Sequence, residues 1–154
     1  MSTNLNVLLS NLIALNATKF SGKLDKGDKP YILHCLRVMY GVSNEDLEIQ
    51  CIAISHDLIE DTDVTYTQLI ELGCTERVIA GIKALTKVPG ESHDEYLVKI
   101  LANIDACKVK LSDLKDNSDI NRLKGLRQKD FDRLIKYQQM YSIIKGQLDI
   151  HSNF

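Results

Sequence analysis

The 154-residue sequence has no excess of positive charge: 19 Lys and Arg stand against 21 Asp and Glu, a formal net charge of −2. A general nucleic-acid binder is usually clearly basic, so that partner is not expected. A small phosphorylated ligand is not excluded, because a few local lysines suffice for it. The four cysteines, Cys35, Cys51, Cys74 and Cys107, form no C-x-x-C pair, so a thiolate zinc site has no support. With apolar or helical neighbours they read as buried free thiols in a reducing cytosol. The start of the chain lacks a basic segment followed by an apolar run and a small-residue cleavage site. No apolar stretch approaches the roughly 20 residues that span a bilayer. A cytoplasmic protein with no membrane partner is the expectation. Internal repeats, low-complexity tracts and long linkers are also missing, and strand alternation is not convincing anywhere. Val109 to Leu114 is the one strand candidate, and its flanks read as helix.

What is present is an ordinary globular mix, 44% apolar and 26% charged, enough for a core without disulfides. A single domain over residues 1–154 is expected. Helical periodicity dominates: residues 4–20 place Leu5, Leu8, Leu9, Leu12, Ile13 and Leu15 on one stripe. Gly22 and the stretch 25–30 break that helix into a polar loop. Pro30 opens a second helix over about 30–41, closed near Gly41. Ser43 and Asp46 resemble a capping box before a helix over about 44–60. Thr65 or Thr67 caps a short helix ending at Gly73, and another runs from Thr75 to about Leu85. Ser92 caps a helix to about 103, Asp105 to about Asn117 is helical, and the last helix covers about 128–148. Many short helices give an all-α, irregular bundle rather than an up-and-down four-helix one.

The chemistry concentrates in Ser55-His56-Asp57-Leu58-Ile59-Glu60-Asp61-Thr62, which closes the apolar run Cys51-Ile52-Ala53-Ile54. On a continuous helix His56 and Glu60 share one face, and Asp57 and Asp61 a neighbouring one. Charges ending a buried helix must be satisfied, and a metal ion does so effectively. The alternative for Glu60 and Asp61 is an exposed helix C-terminus, where negative charge opposes the dipole. His34 lies in the apolar segment 30–38 and Asp113 in the apolar segment 109–114, with Asn117 one turn later. Taken singly, His34 reads equally as a satisfied core histidine and Asp113 as a cap or a lysine partner.

The order His, His-Asp, Asp resembles the HD phosphohydrolase superfamily, and within it the hydrolase domain of the RelA/SpoT alarmone enzymes and their small stand-alone relatives. Pro30-Tyr31-Ile32-x-His34, His56-Asp57-x-x-Glu60-Asp61-Thr62 and Lys110-Leu111-Ser112-Asp113-x-x-x-Asn117 carry the resemblance, with Ala84-Leu85-Thr86-Lys87 between them. It covers about residues 10–145. It implies an HD-type helical bundle in which His34, His56, Asp57 and Asp113 bind one divalent metal. Mn2+ is expected first, with Fe2+ or Zn2+ open, in keeping with two imidazoles and two carboxylates. The same resemblance gives Glu60 and Asp61 the catalytic positions serving the attacking water and the leaving group. Asn117 would hold a ribose, Lys26, Lys87 and Lys110 would neighbour phosphates, and Tyr31 either lines the pocket or packs in the core.

The base-recognition positions depart from the family. Asp25-Lys26 stands where an Arg-Lys pair clasps guanine, Leu114 and Asp116 replace the usual Arg and His, and Cys35 replaces a Pro. The reaction class is thereby kept and the substrate opened. Lys19, Lys23, Lys26 and Lys29 around the loop read either as a phosphate site or as a solvated surface. His93 and His151 read as surface residues. Three functions follow, in order: a hydrolase removing 3′-pyrophosphate from (p)ppGpp-type alarmones; the same chemistry on another 2′- or 3′-phosphorylated nucleotide or a nucleoside polyphosphate; and a non-catalytic nucleotide sensor. In each the partner is a small nucleotide.

Overall fold

A computed structural model describes residues 2–152; residues 1, 153 and 154 of the expected 1–154 domain lie outside the described residues. The chain forms α1 (Leu5–Lys19), α2 (Tyr31–Tyr40), α3 (Leu47–Ile54), α4 (Leu58–Asp61), α5 (Tyr66–Glu71), α6 (Glu76–Leu85), α7 (His93–Leu101), α8 (Ile104–Asn117), a 3-10 turn (Ile120–Arg122) and α9 (Gln128–Ser152). Among the described residues the one extended pairing is an isolated bridge between Leu24 and Pro30. The expected all-α bundle is the observed one.

The elements follow from caps and turns legible in the chain. Asn4 accepts from the backbone N–H groups of Asn6 and Val7 at the start of α1. Thr65 with Gln68, and Ser92 with Glu95, form reciprocal capping boxes. Asn103 caps α8 by accepting from the Ala106 N–H.

α3 is the centre of the bundle. Its residues Ile49 to Ile54 are all buried, the polar Gln50 among five apolar ones, as befits a helix packed on by neighbours all round. It packs on α1, α2, α6 and α8. α6 approaches so closely that a Cβ on Gly81 would sit 2.5 Å from Ile52 Cδ1. α9 covers α8 and runs to Ser152, four residues beyond the expected end. The four cysteines are free and buried.

One expectation is corrected, and the correction shapes the site. The helix foreseen over 44–60 begins at Leu47, because Asp46 is its cap and accepts from the Ile49 N–H at 3.2 Å. Ser43 instead accepts from the Glu45 N–H, so the Ser43–Asp46 box does not form. The helix also stops after Ile54. Ser55, His56 and Leu58 donate to the carbonyls three residues back, of Ile52, Ala53 and Ser55, tightening the chain into a turn. Asn16 on α1 holds that turn by donating to Ser55 Oγ at 3.2 Å. His56 and Asp57 therefore sit on a turn between α3 and α4, not on one helical face with Glu60 and Asp61.

Candidate metal centre

Four side chains from three places in the bundle converge. His34 comes from the first turns of α2, His56 and Asp57 from the turn after α3, and Asp113 from α8. Ligand atoms of His34, His56 and Asp57 all lie within 4.8 Å of one another. Asp113 Oδ1 is 3.1 Å from His34 Nε2 and 3.4 Å from His56 Nε2. Asp57 Oδ2 is 3.0 Å from His56 Nε2 and 3.8 Å from His34 Nε2. Both imidazoles and Asp113 are buried, while Asp57 keeps one side toward solvent.

The donor set fits a cation. His56 Nδ1 is 2.8 Å from the Ala53 carbonyl, which can only accept, so Nδ1 carries a proton and, in the neutral imidazole, Nε2 is left with the lone pair. That buried Nε2 has no hydrogen-bond partner, although two carboxylate oxygens lie nearby. His34 repeats the arrangement: its Nδ1 is 2.6 Å from Asp116 Oδ2, and its Nε2 faces the same carboxylates. Lone pairs and negative oxygens that face one another without a donor need a proton or a metal ion between them. The ionisation preferences agree. Burial lowers the proton affinity of both histidines, but Asp57 and Asp113 beside His56, and Asp113 and Asp116 beside His34, outweigh it and raise both. Burial raises Asp57 and Asp113; His56 brings Asp57 down to about 2, and Lys110 leads the groups that hold Asp113 well below the carboxylate range.

Around this set the remaining foreseen residues fall into distinct places. The Tyr31 hydroxyl donates to Asp57 Oδ2 at 2.5 Å while its ring leans on Phe20 and His34, so Tyr31 both packs and reaches the site. Asn117 Nδ2 donates to Asp113 Oδ1, and Lys110 Nζ to Asp113 Oδ2, each at 2.8 Å. Lys110 is thus bound to a carboxylate of the set and is not a free phosphate contact. Glu60 accepts from the Lys87 backbone N–H at 2.7 Å. The Lys87 ammonium makes no described contact with the set. Burial, together with the charges of Asp57 and Asp61, raises the Glu60 carboxyl despite the Lys87 N–H. Asp61 pairs with Lys23 at 2.9 Å, and Lys23 lies 4.1 Å from the Tyr31 ring centroid. Lys19 pairs with Asp63. Two lysines of the foreseen cluster are therefore committed to acids. His93 and His151 are exposed.

A cavity of about 160 Å3 opens beside His34, with Lys26, Tyr31, Asn117, Arg122 and Tyr137 on its walls. Lys26 Nζ stands 3.3 Å from the Tyr137 hydroxyl. Asp25 also borders this cavity, but both of its carboxylate oxygens are engaged by the protein. Its Oδ1 accepts from the Gly27 and Lys29 N–H groups at 2.8 and 3.0 Å, and its Oδ2 from Arg122 at 2.7 Å. The replacement that distinguishes this loop is a structural clamp. Gly27 is required beneath it, since a Cβ there would lie 2.1 Å from the Arg122 carbonyl oxygen. Sequence reasoning missed Arg37 and Arg122, and it saw Asp116 only as a departure from a motif; both arginines bind that carboxylate. The signal for Asp116 was its place one turn after Ser112 and three residues after Asp113.

No family model matches the chain. Over 102 residues, 60% of this chain, it is 34% identical to the guanosine-3′,5′-bis(diphosphate) 3′-pyrophosphohydrolase of Aquifex aeolicus (strain VF5), and it spans 14% of the length of that relative. The fold superposes with a TM-score of 0.72 on a solved structure described as a metazoan ortholog of SpoT that hydrolyzes ppGpp and plays a role in starvation responses. The match covers 92% of each chain at 20% identity. The chain is thus similar in sequence, over that stretch, to a 3′-pyrophosphohydrolase, and over nearly its whole length it shares the all-helical fold of the SpoT ortholog.

Proposed function

We propose that the chain is a metal-dependent phosphohydrolase that removes the 3′-pyrophosphate of (p)ppGpp-type nucleotides, with His34, His56, Asp57 and Asp113 as its metal ligands. The observation that carries this reading is the convergence of two imidazole nitrogens and two carboxylates with no donor between them. The matched relative is named for this activity, and the matched fold is that of a protein said to hydrolyze ppGpp. Manganese is the ion expected first for such mixed nitrogen and oxygen ligands. A divalent ion held there supplies a Lewis acid and water of lowered pKa.

The chain's own groups do the rest. Glu60, whose carboxyl is raised by burial and its acidic neighbours, takes a proton from the attacking water. Attack on the 3′-linked phosphorus breaks its bond to the ribose 3′-oxygen, which leaves with the proton returned by Glu60 or with one from solvent, while Asp61, the expected partner of the leaving group, stands beside Glu60 paired with Lys23. The products are a nucleoside 5′-diphosphate, when the substrate is ppGpp, and pyrophosphate. Asn117 fixes Asp113 and stands in the cavity wall where a ribose would lie. Lys26 is the cation of that wall left to meet a phosphate or a base.

A second reading, the same chemistry on a nucleotide with a different base, is favoured by Asp25. The loop carries no arginine to stack on guanine, and both Asp25 oxygens are engaged inside the protein. Product analysis of the Mn2+-loaded protein against ppGpp and a panel of 2′- and 3′-phosphorylated nucleotides tests both. Release of pyrophosphate and GDP from ppGpp, lost in Asp57→Ala, supports the first reading. Turnover of another panel member with ppGpp untouched supports the second. Inertness toward the whole panel, with Mn2+ bound, contradicts both.

A further inference from the structure

We infer that Asp116 is the positioning residue that fixes His34 as a metal ligand, and that Arg122 ties it to the loop beside the nucleotide cavity through Asp25. The inference rests on the metal-site reading above and extends it to residues outside the ligand set.

The geometry is continuous. Asp116 Oδ2 is 2.6 Å from His34 Nδ1. Its Oδ1 accepts from Arg37 Nε at 2.7 Å, and Arg122 Nη1 donates both to Oδ2 at 2.7 Å and to the Asp116 backbone carbonyl at 2.8 Å. Arg122 Nη2 then donates to Asp25 Oδ2 at 2.7 Å. Asp25 and Asp116 are mostly buried, and Arg122 is four-fifths buried. Two arginines on one carboxylate fix its plane and its place against the imidazole. A carboxylate so placed holds the Nδ1–H tautomer of the imidazole and aims Nε2 at the cation, as outer partners of ligating histidines commonly do. The same arginine that steadies Asp116 closes the 21–30 loop, so the ligand's orientation and the cavity wall share one network. His56 is held differently, by a main-chain carbonyl. Asp116 is therefore the side chain whose removal frees one ligand and leaves the other fixed.

The test uses Mn2+ alone as probe, with free Mn2+ read by electron paramagnetic resonance and metal-free melting recorded in chelator. Removal of an outer partner typically weakens metal binding about 10–100-fold. Asp116→Ala is expected to weaken Mn2+ by that factor, and Asp116→Asn, whose amide oxygen still accepts from Nδ1, by a smaller one of at least about threefold. Asp130→Asn is the control for a merely structural loss. Asp130 is buried and bound to Arg133 and the Arg127 N–H, but it touches none of the four ligands. It should melt earlier with Mn2+ affinity unchanged. His34→Ala separates the two levels of the argument. If His34→Ala weakens Mn2+ and Asp116→Ala binds it like the wild type, Asp116 does not position His34, while the metal site stands. If His34→Ala also binds like the wild type, the metal reading fails and this inference with it. Should Asp116→Ala not fold, Asp116→Asn decides: unchanged affinity overturns the proposal.

Discussion

The Tyr31 hydroxyl lies 2.5 Å from Asp57 Oδ2, tying the first turn of α2 to the turn that follows α3. Burial and the neighbouring carboxylate raise the Tyr31 phenol far above its ordinary value, so it stays a donor. Asp57 is the most exposed of the four converging side chains, and this bond holds the very oxygen that faces the two imidazoles. Tyr31→Phe keeps the ring against Phe20 and removes only the donor. Its Mn2+ affinity should fall about tenfold, within the range for lost outer-shell contacts. Titration calorimetry measures it; an unchanged dissociation constant means that Asp57 is oriented without Tyr31.

Glu60 is assigned chemistry and not metal binding. Glu60→Gln preserves the bond from the Lys87 N–H and should bind Mn2+ as the wild type does, while turnover falls by about 10²–10⁴-fold. Because a base must be ionised and the Glu60 carboxyl is raised above 4.5, the acid limb of the wild-type pH–rate profile should lie above the ordinary glutamate range. That limb should be missing from the residual activity of Glu60→Gln. Wild-type turnover in Glu60→Gln would end its catalytic assignment.

Proton and metal compete for the same lone pairs, and the sign of that competition can be stated. His34 and His56 have folded-state values raised above 6.5. The stability they give the metal-free protein is full below that pH and is lost as pH climbs through the folded values. Asp57 and Asp113 are depressed below 3.8, so their contribution is present above that pH and lost only in acid. In chelator the melting temperature should therefore decline as pH rises from 6.5 through the raised values of the two histidines, and saturating Mn2+ should abolish the decline. A metal-free melting temperature that rises steadily over that interval would contradict the assignment of charges.

Much of the fold was legible because its signals are local. Thr65 or Thr67, Ser92 and the broken stretch 25–30 mark helix ends within a turn of sequence, the structure choosing Thr65 and adding Gln68 and Glu95 as the reciprocal partners, and the apolar run around Cys51 marks the central helix. The break at Ser55 was not legible. It depends on Asn16, 39 positions away, and on a tight turn that no residue type from 55 to 57 demands. The four ligand candidates were legible through the resemblance that the order His, His-Asp, Asp carries; their apolar surroundings alone leave His34 and Asp113 open to a structural role. The roles of Asp25, Asp116 and Arg122 were not legible, since each is defined by partners up to 97 positions distant.

That distance bears on engineering. Asp25→Arg restores the residue type of the resembled family at this position, yet it removes three hydrogen bonds from the loop and sets one guanidinium against another. Breaking a mostly buried pair in this way costs about 3 kcal/mol. Urea unfolding in chelator should show a loss of that order, with no gain in affinity for a guanine nucleotide. Tighter guanine-nucleotide binding with undiminished stability would mean that the loop is free to recognise a base.

The central claim is that one cation sits among His34, His56, Asp57 and Asp113. Anomalous scattering at the manganese edge from crystals grown with Mn2+ tests it most directly. The account requires a single strong peak per chain within bonding distance of both Nε2 atoms and both carboxylates, absent from crystals of Asp57→Ala. A map without a peak there, or with its only peak elsewhere on the molecule, would contradict it.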